Sequence, residues 1–264
     1  MEKLLVIKIG GNVIDKPEAL QRFLQTFAEL PQRKILIHGG GKIATQVADK
    51  LGIETLMVEG RRITDQTMLD VVIMVYGGLV NKNIVAQLQS LSSNAIGLTG
   101  ADAGVIRAKK RPVKEIDYGF VGDVESVNTS QFILFLENGL VPIIAPLTFE
   151  PVSGSMLNTN ADTMASTIAV ALAANFEVNL VYCFEKKGVL SDPEDDDAVI
   201  PRLNPISYAD HKASGSINKG MIPKLDNAFN ALQNGVAQVT ICHADELRNA
   251  VQEGAAGTQL TINN

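Results

Sequence analysis

Leu4-Leu5-Val6-Ile7-Lys8-Ile9-Gly10-Gly11-Asn12 and Ile35-Leu36-Ile37-His38-Gly39-Gly40-Gly41 decide how this chain reads. Each is a short apolar run that ends in glycines, as buried strands do when they feed a tight turn. A glycine turn after a strand brings bare backbone N–H groups close to an anion. Further on stand Asn158-Thr159-Asn160-Ala161-Asp162 and Lys219-Gly220-Met221-Ile222-Pro223-Lys224. Lysines and an aspartate far apart in sequence can meet at one anion when strand ends assemble the site, which is the pattern of phosphoryl transfer.

Outward from these runs, strand-like and helix-like segments alternate. Strands are expected at Leu4–Ile9, Lys34–His38, Ala95–Thr99, Leu140–Pro146, Val178–Phe184 and Gln238–Ile241. Helices are expected at Pro17–Glu29, Lys42–Leu51, Asp65–Leu91, Ser130–Asn138, Ala161–Ala174, Gly220–Asn234 and Asp245–Glu253. Leu20, Phe23, Leu24 and Phe27 have helical spacing, and Ser130 is the expected N-cap of its helix. Such alternation predicts an α/β fold: a mainly parallel sheet with helices on both faces. Val105–Val127 breaks the rhythm, with Lys109, Lys110 and Arg111 among apolar residues and turns at Gly119 and Gly122; it reads as an antiparallel hairpin covering a site. Glu194-Asp195-Asp196-Asp197 reads as a solvated loop rather than a metal site. A lobe boundary is expected at Ala173–Asn175, dividing the chain into residues 1–174 and 175–264.

The totals set limits. A chain of 264 residues can build two lobes, each with a core. A net charge of −6 argues against nucleic acid as a partner and leaves room for a local basic pocket. Cys183 and Cys242 lie in apolar runs and read as buried free thiols of a reducing compartment. Leu4–Ile9 is too short for a signal sequence and is interrupted by Lys8. No apolar stretch is expected to reach the ~18 residues that span a bilayer. These features predict a cytoplasmic protein with no membrane partner.

Individual residues carry the chemistry. Lys8 ends a buried strand, and lysine is seldom buried without a charged partner or ligand; the alternative is a lysine snorkelling from an edge strand. Three glycines after His38 suit a close approach of backbone to a ligand, with a helix N-terminus aimed at the same place. The run is not a Walker A loop, since Ile43 follows Lys42 where Ser or Thr is required, and it is not G-x-G-x-x-G. His38 reads as a side chain that stabilises the turn rather than as a base. Arg62, after Gly60-Arg61, suits a bidentate pair with a substrate carboxylate; the alternative is a surface arginine near the helix cap. Two asparagines and Asp162 within five residues go beyond what helix capping needs, with pure capping as the alternative. Lys224, in the first turn of a helix, opposes the helix dipole and so calls for an anionic partner; the alternative is a solvated surface lysine.

In this order and spacing, over essentially the whole chain, the motifs resemble the amino-acid kinase family, in particular its members that phosphorylate N-acylated glutamate. The resemblance rests on Lys8 with Gly10-Gly11, His38–Gly41, Gly60–Thr64, Val80-Asn81-Lys82, Gly97–Asp102, Gly119–Gly122, Asn158–Asp162 and Gly220–Lys224. It implies a three-layer αβα sandwich, with residues 1–174 binding the acyl amino acid and dimerising and residues 175–264 binding ATP. The implied reaction phosphorylates the γ-carboxylate of N-acetyl-L-glutamate, a step toward ornithine and arginine. By resemblance, Lys8 and Lys224 stabilise the transferring phosphoryl group, Asp162 holds both lysines, and the N–H groups of Gly11 and Gly40 cradle its oxygens. Gly40, Gly41, Arg62 and Asn158 bind the acylated amino acid. Gly10, Gly11, Glu185, Gly188, Ser216 and Met221 fall at positions that contact the nucleotide. Mg²⁺ is implied as the counterion of ATP, with no protein ligand to the metal.

Three stretches depart from the family pattern. Phe184-Glu185 stands where relatives carry a small hydroxyl residue and Asp, Asn218-Lys219 precedes Gly220 where small residues or Asp are frequent, and Thr148–Pro151 differs near the acyl site. The acyl group therefore stays open between acetyl and a larger one such as succinyl. Relatives inhibited by arginine have an extra N-terminal helix; with only seven residues before Lys8, a homodimer without that inhibition is expected. The alternatives are other kinases on this fold and, from a different class, a non-catalytic amino-acid or nucleotide sensor, which would not need both lysines.

Overall fold

The computed structural model describes residues 1–58, 60–192, 194–217, 220–252 and 256–262. Pro193, Asn218, Lys219 and Glu253, which the sequence places in the acidic loop, before Gly220 and at the end of the last helix, lie outside the described residues. The chain divides into two compact units, Met1–Lys34 with Ala165–Asn264, and Ile35–Met164.

The N-terminal segment supplies β1 (Lys3–Ile9), a one-turn helix α1 (Gly11–Ile14), α2 (Pro17–Glu29) and the start of β2 (Arg33–His38). In α2, Pro17 suits the first turn, and Leu20, Phe23, Leu24 and Phe27 are all buried, with Phe23 and Phe27 stacked at 6.1 Å. Lys34 Nζ donates to the carbonyls of Ala28 and Leu30 at 2.9 and 2.6 Å, which closes the C-terminal end of α2. Burial holds this ammonium at a pKa of about 8.

The second unit continues with α3 (Gly41–Lys50), β3 (Met57–Val58), β4 (Arg61–Arg62), α4 (Gln66–Val72), a π-helical stretch Ile73–Val80, α5 (Asn81–Ser90) and β5 (Ala95–Leu98). After these come β6 (Ile106–Lys110), β7 (Gly122–Val127), α6 (Thr129–Glu137), β8 (Val141–Ile144), β9 (Leu147–Phe149), β10 (Met156–Asn158) and the start of α7 (Ala161–Leu172). Strands β2, β8 and β5 are neighbours, paired in parallel. The hairpin expected at Val105–Val127 is present: β6 and β7 pair antiparallel, in the strand order β10-β9-β6-β7. Helix α6 starts one residue before Ser130, and Ser130 Oγ instead donates to the Asn128 side chain at 2.9 Å.

Gln66–Ser90 forms one continuous helical run with a window of mean hydropathy 1.4, long and apolar enough by length and composition to cross a membrane. This corrects the expectation that no stretch reaches that length. Half of the window is buried, and Met68, Leu69, Val71, Val72, Val75, Ile84 and Leu88 make up the buried side, so the apolar character comes from core packing.

The C-terminal segment adds β11 (Glu177–Phe184), β12 (Arg202–Leu203), α8 (Pro205–Ser214), α9 (Ile222–Gln233), β13 (Gln238–His243), α10 (Leu247–Gln252) and β14 (Thr258–Leu260). In its unit the strand order is β12-β14-β13-β11-β1, parallel throughout except between β13 and β14. The near-continuous apolar runs of β1 and β11 follow from this, because a parallel strand is covered on both faces. β1 pairs with β11 along its whole length, from Lys3 opposite Glu177 to Ile9 opposite Cys183. That ladder groups the first strand with the C-terminal segment, so the compact units differ from the division at residue 174. Helix α8 was not expected from the sequence. Its signal is Asn204-Pro205-Ile206-Ser207, a capping box in which Asn204 Oδ1 accepts from the Ser207 N–H at 2.8 Å and Ser207 Oγ accepts from the Asn204 N–H at 3.0 Å. The acidic run is tied down by ion pairs of Lys186 with Asp196 and Lys187 with Asp197, on exposed side chains. Cys183 and Cys242 are register partners on β11 and β13, buried and unbridged, with Sγ atoms 3.8 Å apart.

Candidate active site

In the unit containing both termini, polar groups gather where β1 and β11 end. Lys8 sits on β1 opposite Tyr182 and is only 6% exposed. Its Nζ lies 4.8 Å from the centroid of the Phe184 ring, and Lys224 Nζ, from the first turn of α9, lies 4.4 Å from the same centroid. Phe184 in turn stacks on Tyr182 at 6.2 Å. Ring quadrupoles attract cations, so the aromatic residue that departs from the family pattern sits against both lysines. Two ammonium groups at one ring raise the local positive potential, which favours phosphate. Beside them, the Gly10 N–H donates to the Cys183 carbonyl at 3.1 Å, and a Cβ on Gly10 would lie 3.3 Å from the Phe184 ring. A Cβ on Gly11 would meet nothing within 4 Å. Asn12 Nδ2 donates to Glu185 Oε1 at 2.6 Å, linking the two glycine-flanked loops.

A cavity of about 320 Å³ adjoins this cluster, lined by Glu185, Gly188, Val189, Ile217, Met221 and Lys224 among others. Its apolar walls and polar rim have the character of a ligand site. Gly188 has a packing reason to be glycine, since a Cβ there would lie 2.7 Å from Thr258 Oγ1. Ser216 bonds to His211 Nδ1 at 2.9 Å, while the next residue, Ile217, lines the cavity.

The other unit holds a separate cavity of about 210 Å³, bordered by Gly40, Gly41, Arg62, Tyr76, Arg111 and Asn158 among others. The glycine turn after β2 is narrow because of Tyr76: a Cβ on Gly40 would lie 2.9 Å from the Tyr76 ring. His38, fully buried, fixes the turn. Its Nδ1 donates to the Gly39 carbonyl at 2.7 Å, and its Nε2 accepts from Asn81 Nδ2 at 3.1 Å. Burial, with a smaller push from Lys82, brings its pKa down to about 4. A neutral imidazole with both nitrogens engaged serves the turn, as the sequence indicated.

Arg62 is 8% exposed. Its Nη2 donates to the Gly41 carbonyl at 2.9 Å and to Thr45 Oγ1 at 2.8 Å; its Nη1 contacts Thr55 Oγ1 at 3.2 Å and Met68 Sδ at 3.6 Å. Among the described residues its acceptors are neutral. A buried guanidinium whose described partners are neutral suits an anion. Burial raises the Tyr76 phenol, and the adjacent Arg62 pulls it the other way. Asn158, at the end of β10, donates from Nδ2 to Thr64 Oγ1 at 3.0 Å, and its N–H meets the Phe120 carbonyl at 2.9 Å. Asp162 stands in the first turn of α7 and is 8% exposed. Among the described residues no group of three or more His, Cys, Asp or Glu side chains could hold a metal ion.

The order of these motifs agrees with comparison against known proteins. The sequence model of the amino acid kinase family matches residues 3–243. The chain belongs to the amino acid kinase family. Relatives in the family include proteins named acetylglutamate kinase. That of Cytophaga hutchinsonii is 58% identical over 265 residues, covering 100% of both chains. That of Phocaeicola vulgatus is 56% identical over 254 residues, covering 96% of this chain and 97% of its own. A solved Streptococcus mutans structure superposes with a TM-score of 0.80 at 28% identity over 99% of each chain. Carbamate kinase from Giardia lamblia, solved with AMP-PNP, superposes at 0.74 over 99% of each chain; at 13% identity it shows the shared fold alone. The α/β fold with a mainly parallel sheet is thus the fold of the amino acid kinase family, and the chain is a kinase by descent.

Two residues of this family member's cavities were not singled out in the sequence. Tyr76 lies in an apolar helix next to Gly77-Gly78, where a lone tyrosine reads as core. Arg111 reads as one of three basic residues on a hairpin. Only the fold turns either toward a cavity.

Proposed function

We propose that the chain transfers the γ-phosphoryl group of ATP to the γ-carboxylate of N-acetyl-L-glutamate, in the cytoplasm, as a step toward arginine. The observation that carries this reading is Arg62, a buried guanidinium whose acceptors among the described residues are neutral, in a chain 58% identical over its full length to a protein named acetylglutamate kinase. In this reading Arg62 binds the α-carboxylate, with Asn158 and the Gly40-Gly41 backbone completing the amino-acid site. Lys8 and Lys224 stabilise charge on the phosphoryl group, Asp162 orients them, and the N–H groups of Gly11 and Gly40 receive phosphoryl oxygens. Gly10, Glu185, Gly188, Ser216 and Met221 belong to the nucleotide site, and Mg²⁺ enters with the phosphates of ATP. Residues 1–174 and 175–264 divide the work between amino acid and nucleotide, and two copies form the working dimer.

A carboxylate nucleophile is ionised at pH 7, so no general base is needed. Rate acceleration then comes from positioning and from charges already in place. That agrees with a neutral, fully engaged His38. The test is to incubate the protein with ATP, Mg²⁺ and N-acetyl-L-glutamate and trap the acyl phosphate with hydroxylamine. Hydroxamate formed in step with ADP is the expected result; ADP release without hydroxamate, or neither product, overturns the reading.

A further inference from the structure

Tyr76 stands in the π-helical stretch Ile73–Val80, a geometry concentrated at functional sites. Its ring lies against the glycine turn, and its hydroxyl oxygen lies 4.0 Å from where a Cβ on Gly41 would be. The side chain is 5% exposed and borders the cavity that Arg62 and Asn158 also line. Arg62 limits where the phenol proton can go. It lies beside the phenol and pulls its pKa down against the burial that raises it. A guanidinium only donates, so Arg62 can give a hydrogen to the phenol oxygen but cannot take the phenol's own. Among the described residues no other side chain acts on this hydroxyl. Nor is it one of the polar atoms sealed from solvent without a partner, so its proton is left for a group in the cavity.

N-acetyl-L-glutamate offers this proton two acceptors away from the reacting carboxylate: the α-carboxylate and the acyl carbonyl. On the reading above the α-carboxylate lies against Arg62, the cation beside the phenol, and an ionised acceptor makes the stronger hydrogen bond. Most N–H groups of Arg62 already meet neutral acceptors, so a carboxylate bound there gains from a donor at their side. We propose that Tyr76 is a further substrate-binding residue, whose O–H donates to the α-carboxylate that Arg62 holds. This inference rests on the proposed kinase activity and adds a residue to its amino-acid site.

The experiment is Tyr76→Phe in the full chain, which keeps the ring against the glycine turn and removes the hydroxyl. KM for N-acetyl-L-glutamate is expected to rise about tenfold, with kcat and KM for ATP unchanged. N-acetyl-L-isoglutamine, which keeps the γ-carboxylate and carries a neutral amide in place of the α-carboxylate, is then measured as a competitor. Its inhibition constant should be nearly the same in both chains. An unchanged KM for N-acetyl-L-glutamate would mean that only the ring matters, and overturns the inference. A lower kcat at constant KM would place the hydroxyl at the phosphoryl group, and equal losses for acid and amide would place it on the acyl carbonyl that both share; either overturns it and leaves the kinase reading standing. A second readout does not depend on the Phe variant folding. The chain has four tyrosines and no tryptophan, so N-acetyl-L-glutamate without ATP should give a near-ultraviolet tyrosine difference spectrum in the unaltered chain that persists in Tyr118→Phe. No such spectrum in the unaltered chain overturns the inference. No hydroxamate from the unaltered chain overturns both readings together.

Discussion

The two cavities use positive charge in opposite ways. At the ends of β1 and β11, two lysines are drawn to one aromatic ring, Phe184, at 4.8 and 4.4 Å. In the other unit the Arg62 guanidinium is held, among the described residues, by neutral oxygens and a sulfur. An ammonium is a compact point charge on a flexible stem, whereas a guanidinium is a planar fork. Point charges on flexible stems suit a group whose charge moves during reaction; a locked fork suits a carboxylate that must stay still. The first region should therefore act on rate and the second on affinity.

The largest effect should come from Lys8→Ala. Removing a preorganised charge of this kind lowers kcat by about 10²–10³, while KM for the amino-acid substrate changes little. Steady-state kinetics at saturating ATP checks this, and a variant with full kcat removes Lys8 from the chemistry. A pH effect on stability should follow in the second region. His38 has a folded pKa of about 4 against an ordinary value of 6.5. Because the folded value is depressed, the unfolded chain binds the extra proton between these values. Stability is then fully present above pH 6.5 and is lost as pH falls toward 4, by about 3 kcal/mol from this group. Thermal unfolding midpoints at pH 7 and 4.5 should diverge more for the unaltered chain than for His38→Gln; equal slopes would mean that the imidazole is not held neutral. Next, Arg62→Ala should raise KM for the acyl amino acid by about 10- to 100-fold, through loss of charge-assisted hydrogen bonds. If kcat fell instead and KM held, the division between the regions would collapse.

Much of this was legible in the sequence because glycines and lysines were set at strand ends. β1, β2, β5, β8, β11 and β13 announce themselves as apolar runs, since parallel strands are covered on both faces. α2 announces itself by Leu20, Phe23, Leu24 and Phe27 at helical spacing. Lys8 drew attention as a charge in a buried run and Arg62 as an arginine just before a helix start, and both are buried. What escaped was whatever depends on tertiary approach. The pairing of β1 with β11 joins residues far apart in sequence, so the compact units do not follow chain order. Tyr76 hides in a helix of core residues, and the place of Arg111 depends on Asp123 and Tyr118, which hold its guanidinium. Phe184 was read as a departure from pattern, and its place beside two lysines could not be read at all.

That place makes Phe184 the finest probe of the comparison. Phe184→Leu keeps an apolar side chain at the end of β11 and removes the ring quadrupole. Each cation–π contact contributes about 0.5–2 kcal/mol, and other partners of the lysines remain. The substitution should thus lower kcat by about 3- to 10-fold, with KM for the acyl amino acid unchanged, whereas Phe184→Tyr keeps the ring and should stay near the original rate. A Leu variant as fast as the original would mean that the ring is packing alone and that the lysines are held entirely by their other partners. A Leu variant slowed together with a higher KM for the amino acid would mean that the two regions are not separable in function. A loss confined to kcat, in Leu and not in Tyr, would tie the rate to lysines held at an aromatic face.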